Sequence, residues 1–220
     1  MERLRLTDPA VANTPLIECH EALVPVAGLH VRIRVDDSAE NAACIGYPPN
    51  FLIRNGAAQR LAHAADSLPV NLALLVKETL RPARLQAFYF ERRLGRIKSE
   101  NPKLTAQGAI ELTAQFIAPP TVAGHPGGGA IDLTLCTQDG IELGLGCPYD
   151  ADEAVSGGAC FSFFDGLAPA AQHNRRILFD ALGAAGFVNY PFEWWHWSYG
   201  DRYWAASTGA PSAIYSAVAD

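Results

Sequence analysis

Long apolar runs are missing from this 220-residue sequence. No stretch approaches the roughly 18 residues needed to cross a bilayer. The N-terminal MERLRLTDPAVANTPLIECHE sets acidic and proline residues where a secretory leader carries roughly 7–15 uninterrupted apolar ones. The expectation is a cytoplasmic protein with no membrane partner. Cysteine is sparse: Cys19, Cys44, Cys136, Cys147 and Cys160 are odd in number and contain no CxxC pair. That argues for reduced thiols and against both a disulfide framework and a thiolate zinc knuckle. Charge is thin, with a net value of -6 and no run of five like charges. A nucleic-acid partner, which needs clustered Lys and Arg, is therefore not expected. HExxH, GxSxG and GK[ST] are also missing, which excludes the commonest zincin, hydrolase-elbow and P-loop arrangements.

What remains is a chain whose residues are 49% hydrophobic, long enough to bury one substantial core. Pro and Gly are dispersed as turn punctuation, so one domain over 1–220 is expected, with 1–28 an extended N-terminal segment. The alternation in LHVRIRV (29–35) predicts a half-buried strand. Asn55 is positioned to cap a helix through AAQRLAHAAD, and VNLALLV (70–76) reads as a buried strand. Pro82 suits the first turn of a helix through ARLQAFYFERRLGRI, and Thr105 opens another that runs to Phe116. AIDLTL predicts a strand with Ile131, Leu133 and Leu135 on one face and Ala130, Asp132 and Thr134 on the other. Residues 168–185 form the clearest late helix, and the aromatic EWWHWS and RYWAA favour strands. Without a regular βαβ alternation the fold class is α+β: a central, mostly antiparallel sheet flanked by helices.

Six histidines are present, and two have neighbours suited to chemistry. His125 and Asp132 flank HPGGGAID, where three glycines let the chain bend so that both side chains can meet one ion. His196 lies in EWWHW, with Glu193 three residues before it. A catalytic zinc needs three protein ligands and an open position, and His125, Asp132 and His196 fill that description. Glu193 would then be free to take a proton from water, inside a tryptophan-rich wall. Each fragment alone also fits a plain reading, a turn feeding a strand or an aromatic core patch with a hydrogen-bonded histidine. His20, His30, His63 and His173 lack such partners and read as structural or exposed.

Taken in order, His125, Gly128, Ala130 and Asp132 (HxxGxAxD), then Glu193, Trp195 and His196 (ExWH) within EWWHWSYGDRYWA, resemble the signature of the VanX-type D-alanyl-D-alanine dipeptidases of the M15 metallopeptidases. LGCPYD (145–150) is similar to that family's MGTxFD, and LRPAR (80–84) to its YRPxR. The resemblance implies one zinc ion per chain on the sheet, held by His125, Asp132 and His196, with Glu193 as general base. It implies further that Arg81 stabilises the tetrahedral intermediate and that Asp150 receives the ammonium group of a small dipeptide substrate. Read without the resemblance, Arg81 is a salt bridge at a helix start and Asp150 a turn acid. Ala123 stands where the family has serine, Cys147 where it has threonine and Leu80 where it has an aromatic, which bears on substrate preference. The alternatives to a dipeptidase are a peptidoglycan carboxypeptidase for longer peptides and a zinc-binding module without catalysis.

Overall fold

A computed structural model describes residues 4–219. The N-terminal part holds one helical turn, α1 (Pro9–Ala12), and two short strands, β1 (Leu23–Pro25) and β2 (Ile33–Val35). Helix α2 (Ala39–Ile45), strand β3 (Leu52–Arg54) and helix α3 (Asn55–Ser67) lead into the long strand β4 (Leu72–Glu78). Helices α4 (Ala83–Glu100) and α5 (Ala106–Thr113) follow, then a 3-10 turn over His125–Gly127 and strand β5 (Ala130–Thr137). The chain finishes with α6 (Glu153–Ser156), α7 (Pro169–Ala184), β6 (Val188–Asn189), β7 (His196–Ser198) and α8 (Arg202–Thr208).

Five strands form the central sheet in the order β2-β4-β5-β7-β6, and β1 pairs with β3 in a separate ribbon. The β2–β4 pair is parallel and the other three pairs are antiparallel, so the mostly antiparallel α+β expectation holds. Strand β4 is buried along its whole length and β5 along all but its last residue, as central strands covered on both faces must be. Ile131, Leu133 and Leu135 project into the main core. They meet Ala57, Leu61 and Ala64 of α3 and Leu178 and Leu182 of α7. Alanines on α3 let its backbone lie close to its neighbours, an approach that larger side chains would block. The opposite face carries Ala130, Asp132 and Thr134, also buried, as the alternation predicts. Helices α4 and α5 pack on each other through Phe90, Leu94 and Ala109. Among the described residues no helix is long and apolar enough to cross a membrane.

Several boundaries differ from the sequence-based expectations. Only Ile33–Val35 of LHVRIRV is a strand, because His30 Nδ1 accepts the Arg32 amide and makes a turn there. Arg54, not Asn55, is the N-cap of α3, and Asn55 is its first helical residue. Pro82 is likewise the N-cap of α4 and not inside its first turn. RYWAA is helical: Asp201 Oδ1 accepts the Trp204 amide at 2.7 Å, and this cap outweighs the strand preference of the aromatics. Within EWWHWS only His196–Ser198 is a strand, since Glu193 lies in the turn before it.

Candidate metal centre and cleft

Glu78 on β4, Asp132 on β5 and His196 on β7 are direct partners across three adjacent strands. Side chains directly opposite in a sheet share a face, so the three lie in a row. A register irregularity between Val76 and Glu78 puts Glu78 there, where unbroken pairing would put Lys77. His125 comes from outside the sheet. Its 3-10 turn ends at Gly128, whose φ of 72° returns the chain toward β5. The glycine-rich stretch therefore turns as expected, and His125 faces Asp132.

His125 Nδ1 lies 2.6 Å from the Thr79 carbonyl oxygen. A carbonyl can only accept, so Nδ1 carries the proton and Nε2 presents its lone pair inward. That Nε2 is 3.2 Å from His196 Nδ1 and 3.4 Å from Asp132 Oδ1. His196 Nδ1 is 2.8 Å from the same Asp132 oxygen. All three donor atoms lie within 4.8 Å of one another, and His125 and Asp132 are buried. Donors bound to one ion at about 2.0–2.2 Å sit roughly 3.3 Å apart, so two nitrogens and a carboxylate oxygen in this spacing fit zinc. Burial opposes the charge on Asp132, yet the two imidazoles outweigh it and hold the carboxyl well below the usual range. Burial also opposes protonation of His125, and the charges of Asp132 and Glu78 reverse that and raise its pKa. Tyr149 donates its hydroxyl to Asp132 Oδ2 at 3.4 Å.

Glu193 is buried in the turn leading to β7, and Asn189 holds that turn by donating to the carbonyls of Glu193 (3.1 Å) and His196 (2.9 Å). Burial first, then the charges of Asp132 and Asp150, push the Glu193 pKa well up. Arg81 stands where β4 gives way to α4. Its Nε and Nη2 donate to the two Glu78 oxygens at 2.7 Å each, and its Nη1 donates to Gln86 Oε1 at 2.8 Å. Tyr47 donates its hydroxyl to Glu78 as well. Burial opposes the Arg81 charge, but Glu78 outweighs it and raises the pKa further. Asp150 has a φ of 60° in the left-handed region, and the residue is exposed to water. Surrounding protein, then the charges of Asp132 and Glu78, push its pKa up to about 7. Its contact with solvent weakens the first of these causes.

Arg81, His125, Asp132, Asp150, Glu193 and His196 all line one cleft. His30 pairs with Asp66 at the surface, and His20, His63 and His173 are exposed. Sequence reasoning missed Glu78, Tyr47, Gln86, Tyr149 and Asn189. For Glu78 the available signal was its place three residues before Arg81, and for Tyr149 its place beside Asp150. Thr79 acts through a backbone carbonyl, which no residue type could have flagged.

A mixed sheet that supplies Asp132 and His196, with His125 from the turn before β5 and buried Glu193 from the turn before β7, has the make-up of a metal-dependent hydrolase. The chain belongs to the Peptidase_M15 family: residues 48–210 match the family model described as D-ala-D-ala dipeptidase. Over 218 aligned positions it is 25% identical to a D-alanyl-D-alanine dipeptidase of Synechocystis sp., with 87% of each chain covered. A D-alanyl-D-alanine dipeptidase of Escherichia coli is 36% identical over 83 positions, 37% of this chain and 41% of that one. Among solved structures, the vancomycin-resistance D,D-pentapeptidase VanY with Zn(II) aligns at a TM-score of 0.39 and 16% identity, covering 74% of this chain and 80% of that one.

Proposed function

We propose that the chain is a zinc-dependent dipeptidase that hydrolyses D-alanyl-D-alanine or a closely related dipeptide with a free amino terminus. The observation that carries this reading is the meeting of the His125, Asp132 and His196 donor atoms, within 4.8 Å, in the same cleft as Glu193 and Arg81. Family membership and the names of the relatives support the substrate class.

His125 Nε2, Asp132 and His196 Nδ1 would hold a zinc ion, which would supply Lewis acidity toward water and a carbonyl. Glu193, buried in the same cleft, takes a proton from the attacking water and returns it to the departing amine. Arg81 keeps its charge at any working pH and donates to the carbonyl oxygen as negative charge develops there. Asp150 receives the substrate ammonium group and so restricts cleavage to the first peptide bond.

Metal analysis with a dipeptide panel tests this. Glu193→Ala is expected to keep its zinc and lose turnover, and full activity in that variant overturns the base assignment. N-acetyl-D-alanyl-D-alanine is expected to be a poor substrate. Its cleavage at the rate of the free dipeptide removes the role given to Asp150 and favours the carboxypeptidase alternative.

A further inference from the structure

On the reading that Asp150 receives the substrate ammonium, the residue beyond the scissile bond would extend away from Asp150, past His196. Asp150 joins the cleft beside Tyr149, which reaches Asp132. The end beyond His196 is built differently. The Tyr190 ring centroid is 6.2 Å from that of His196 and 5.4 Å from that of Tyr203. Both tyrosine hydroxyls are engaged elsewhere: Tyr190 donates to the Ala114 carbonyl at 2.9 Å and Tyr203 to the Leu4 carbonyl at 3.3 Å. What the two residues present to the cleft is therefore ring surface.

Leu6 completes this wall. It lines the cleft and packs with Tyr190 and Tyr203 on buried Val11 and Val122. The segment carrying it is fastened down by Arg202, whose Nη1 donates to the Ala12 and Thr14 carbonyls at 2.7 Å each. Leu6 lies outside residues 48–210, so the family match does not cover this part of the wall. Ala123 adds a methyl group to the same cleft. Asp201 also lines the cleft, and its carboxyl accepts the Trp204 amide at 2.7 Å. An acidic side chain seated against these rings and this carboxyl would lose its hydration.

We propose that Leu6, Tyr190 and Tyr203 form the pocket for the side chain on the leaving-amine side of the scissile bond, that the pocket takes neutral apolar side chains, and that Leu6 sets its depth. The proposal rests on the dipeptidase reading and names the specificity of that site. A methylene gained or lost in an apolar pocket changes discrimination by about tenfold or more, so the depth is measurable.

The test compares kcat/KM for D-alanyl dipeptides ending in D-Ala, D-Val, D-Leu and D-Asp in the wild type, Leu6→Trp and Leu6→Ala. Leu6→Trp is expected to lower the D-Leu to D-Ala ratio by about tenfold, and Leu6→Ala to raise it. D-Asp is expected to be the poorest substrate of the four. A common factor on every substrate, an unchanged ratio in both variants, or D-Asp cleaved as well as D-Val overturns the pocket. Calorimetric binding of the same panel to zinc-loaded Glu193→Gln protein, with and without the Leu6 changes, reads the ranking without turnover. If the wild type cleaves none of the dipeptides while that ranking holds, the dipeptidase reading fails and the pocket stands. Loss of the ranking in binding removes the pocket itself.

Discussion

In the proposed mechanism Arg81 meets charge developing in the transition state, and Glu78 fixes its direction beforehand through two parallel hydrogen bonds of 2.7 Å. Glu78→Gln keeps the shape and removes the charge. We expect kcat to fall by about tenfold or more with a smaller change in KM, since the interaction matters most as charge develops. Steady-state kinetics beside a thermal melt separates this from simple loss of stability, because breaking a buried pair also destabilises by about 3–5 kcal/mol. At this scale the sequence was informative where residue type is itself the signal. His125, Asp132, Glu193 and His196 were legible because two imidazoles and two carboxylates in short motifs suggest one chemistry. Glu78 was hidden, because its place beside Asp132 depends on a strand irregularity that leaves no mark in composition.

Helices were easier to read than strands because their periodicity accumulates over many residues. The expected helix from 83 is α4 and the expected one from 168 is α7, each within a few residues of its observed ends. Strands β2, β6 and β7 are only two or three residues long, too short for alternation to register. Aromatic content misled at RYWAA because the cap at Asp201 decides that element locally. The turn before β5 makes the firmest demand on sequence. A Cβ at Gly129 would lie 2.2 Å from the Tyr199 carbonyl oxygen, a backbone atom, and 2.7 Å from the Tyr215 ring. Since Tyr199 also donates its amide to the Gly129 carbonyl at 3.0 Å, neither strand can retreat without breaking that bond. Gly129→Ala is expected to destabilise by about 1–3 kcal/mol or more and to weaken zinc retention. Urea unfolding and zinc content after dialysis measure the two effects, and wild-type values for both would show that the turn yields.

Over the whole molecule, acid sensitivity follows from half-buried, hydrogen-bonded carboxylates. Burial works against the charge of Asp36, but hydrogen bonds from Lys77 and Ser38 outweigh it and hold its pKa below the ordinary value. Glu18 is lowered in the same way, against burial, by Ser216, His20 and Arg54. A carboxyl whose folded pKa is depressed stabilises the fold above its unfolded pKa, about 3.9–4.3 for these types, and that contribution disappears as pH falls through the folded value. Thermal midpoints measured from pH 7 downward are therefore expected to decline below about pH 4, and Asp36→Asn is expected to flatten the decline.

Glu18 also belongs to a wider set of bonds. It accepts from Ser216, while Arg54 donates to the carbonyls of Gly127 (2.9 Å) and Ser216 (3.2 Å), and Val218 donates to the Pro126 carbonyl at 2.8 Å. The C-terminal tail and residues near 18 thus form a bed beneath the turn that presents His125. A nick or deletion in that tail, which among the described residues touches none of the proposed metal ligands, would act as a lesion of the proposed site, and loss of metal rather than loss of shape would be its first symptom.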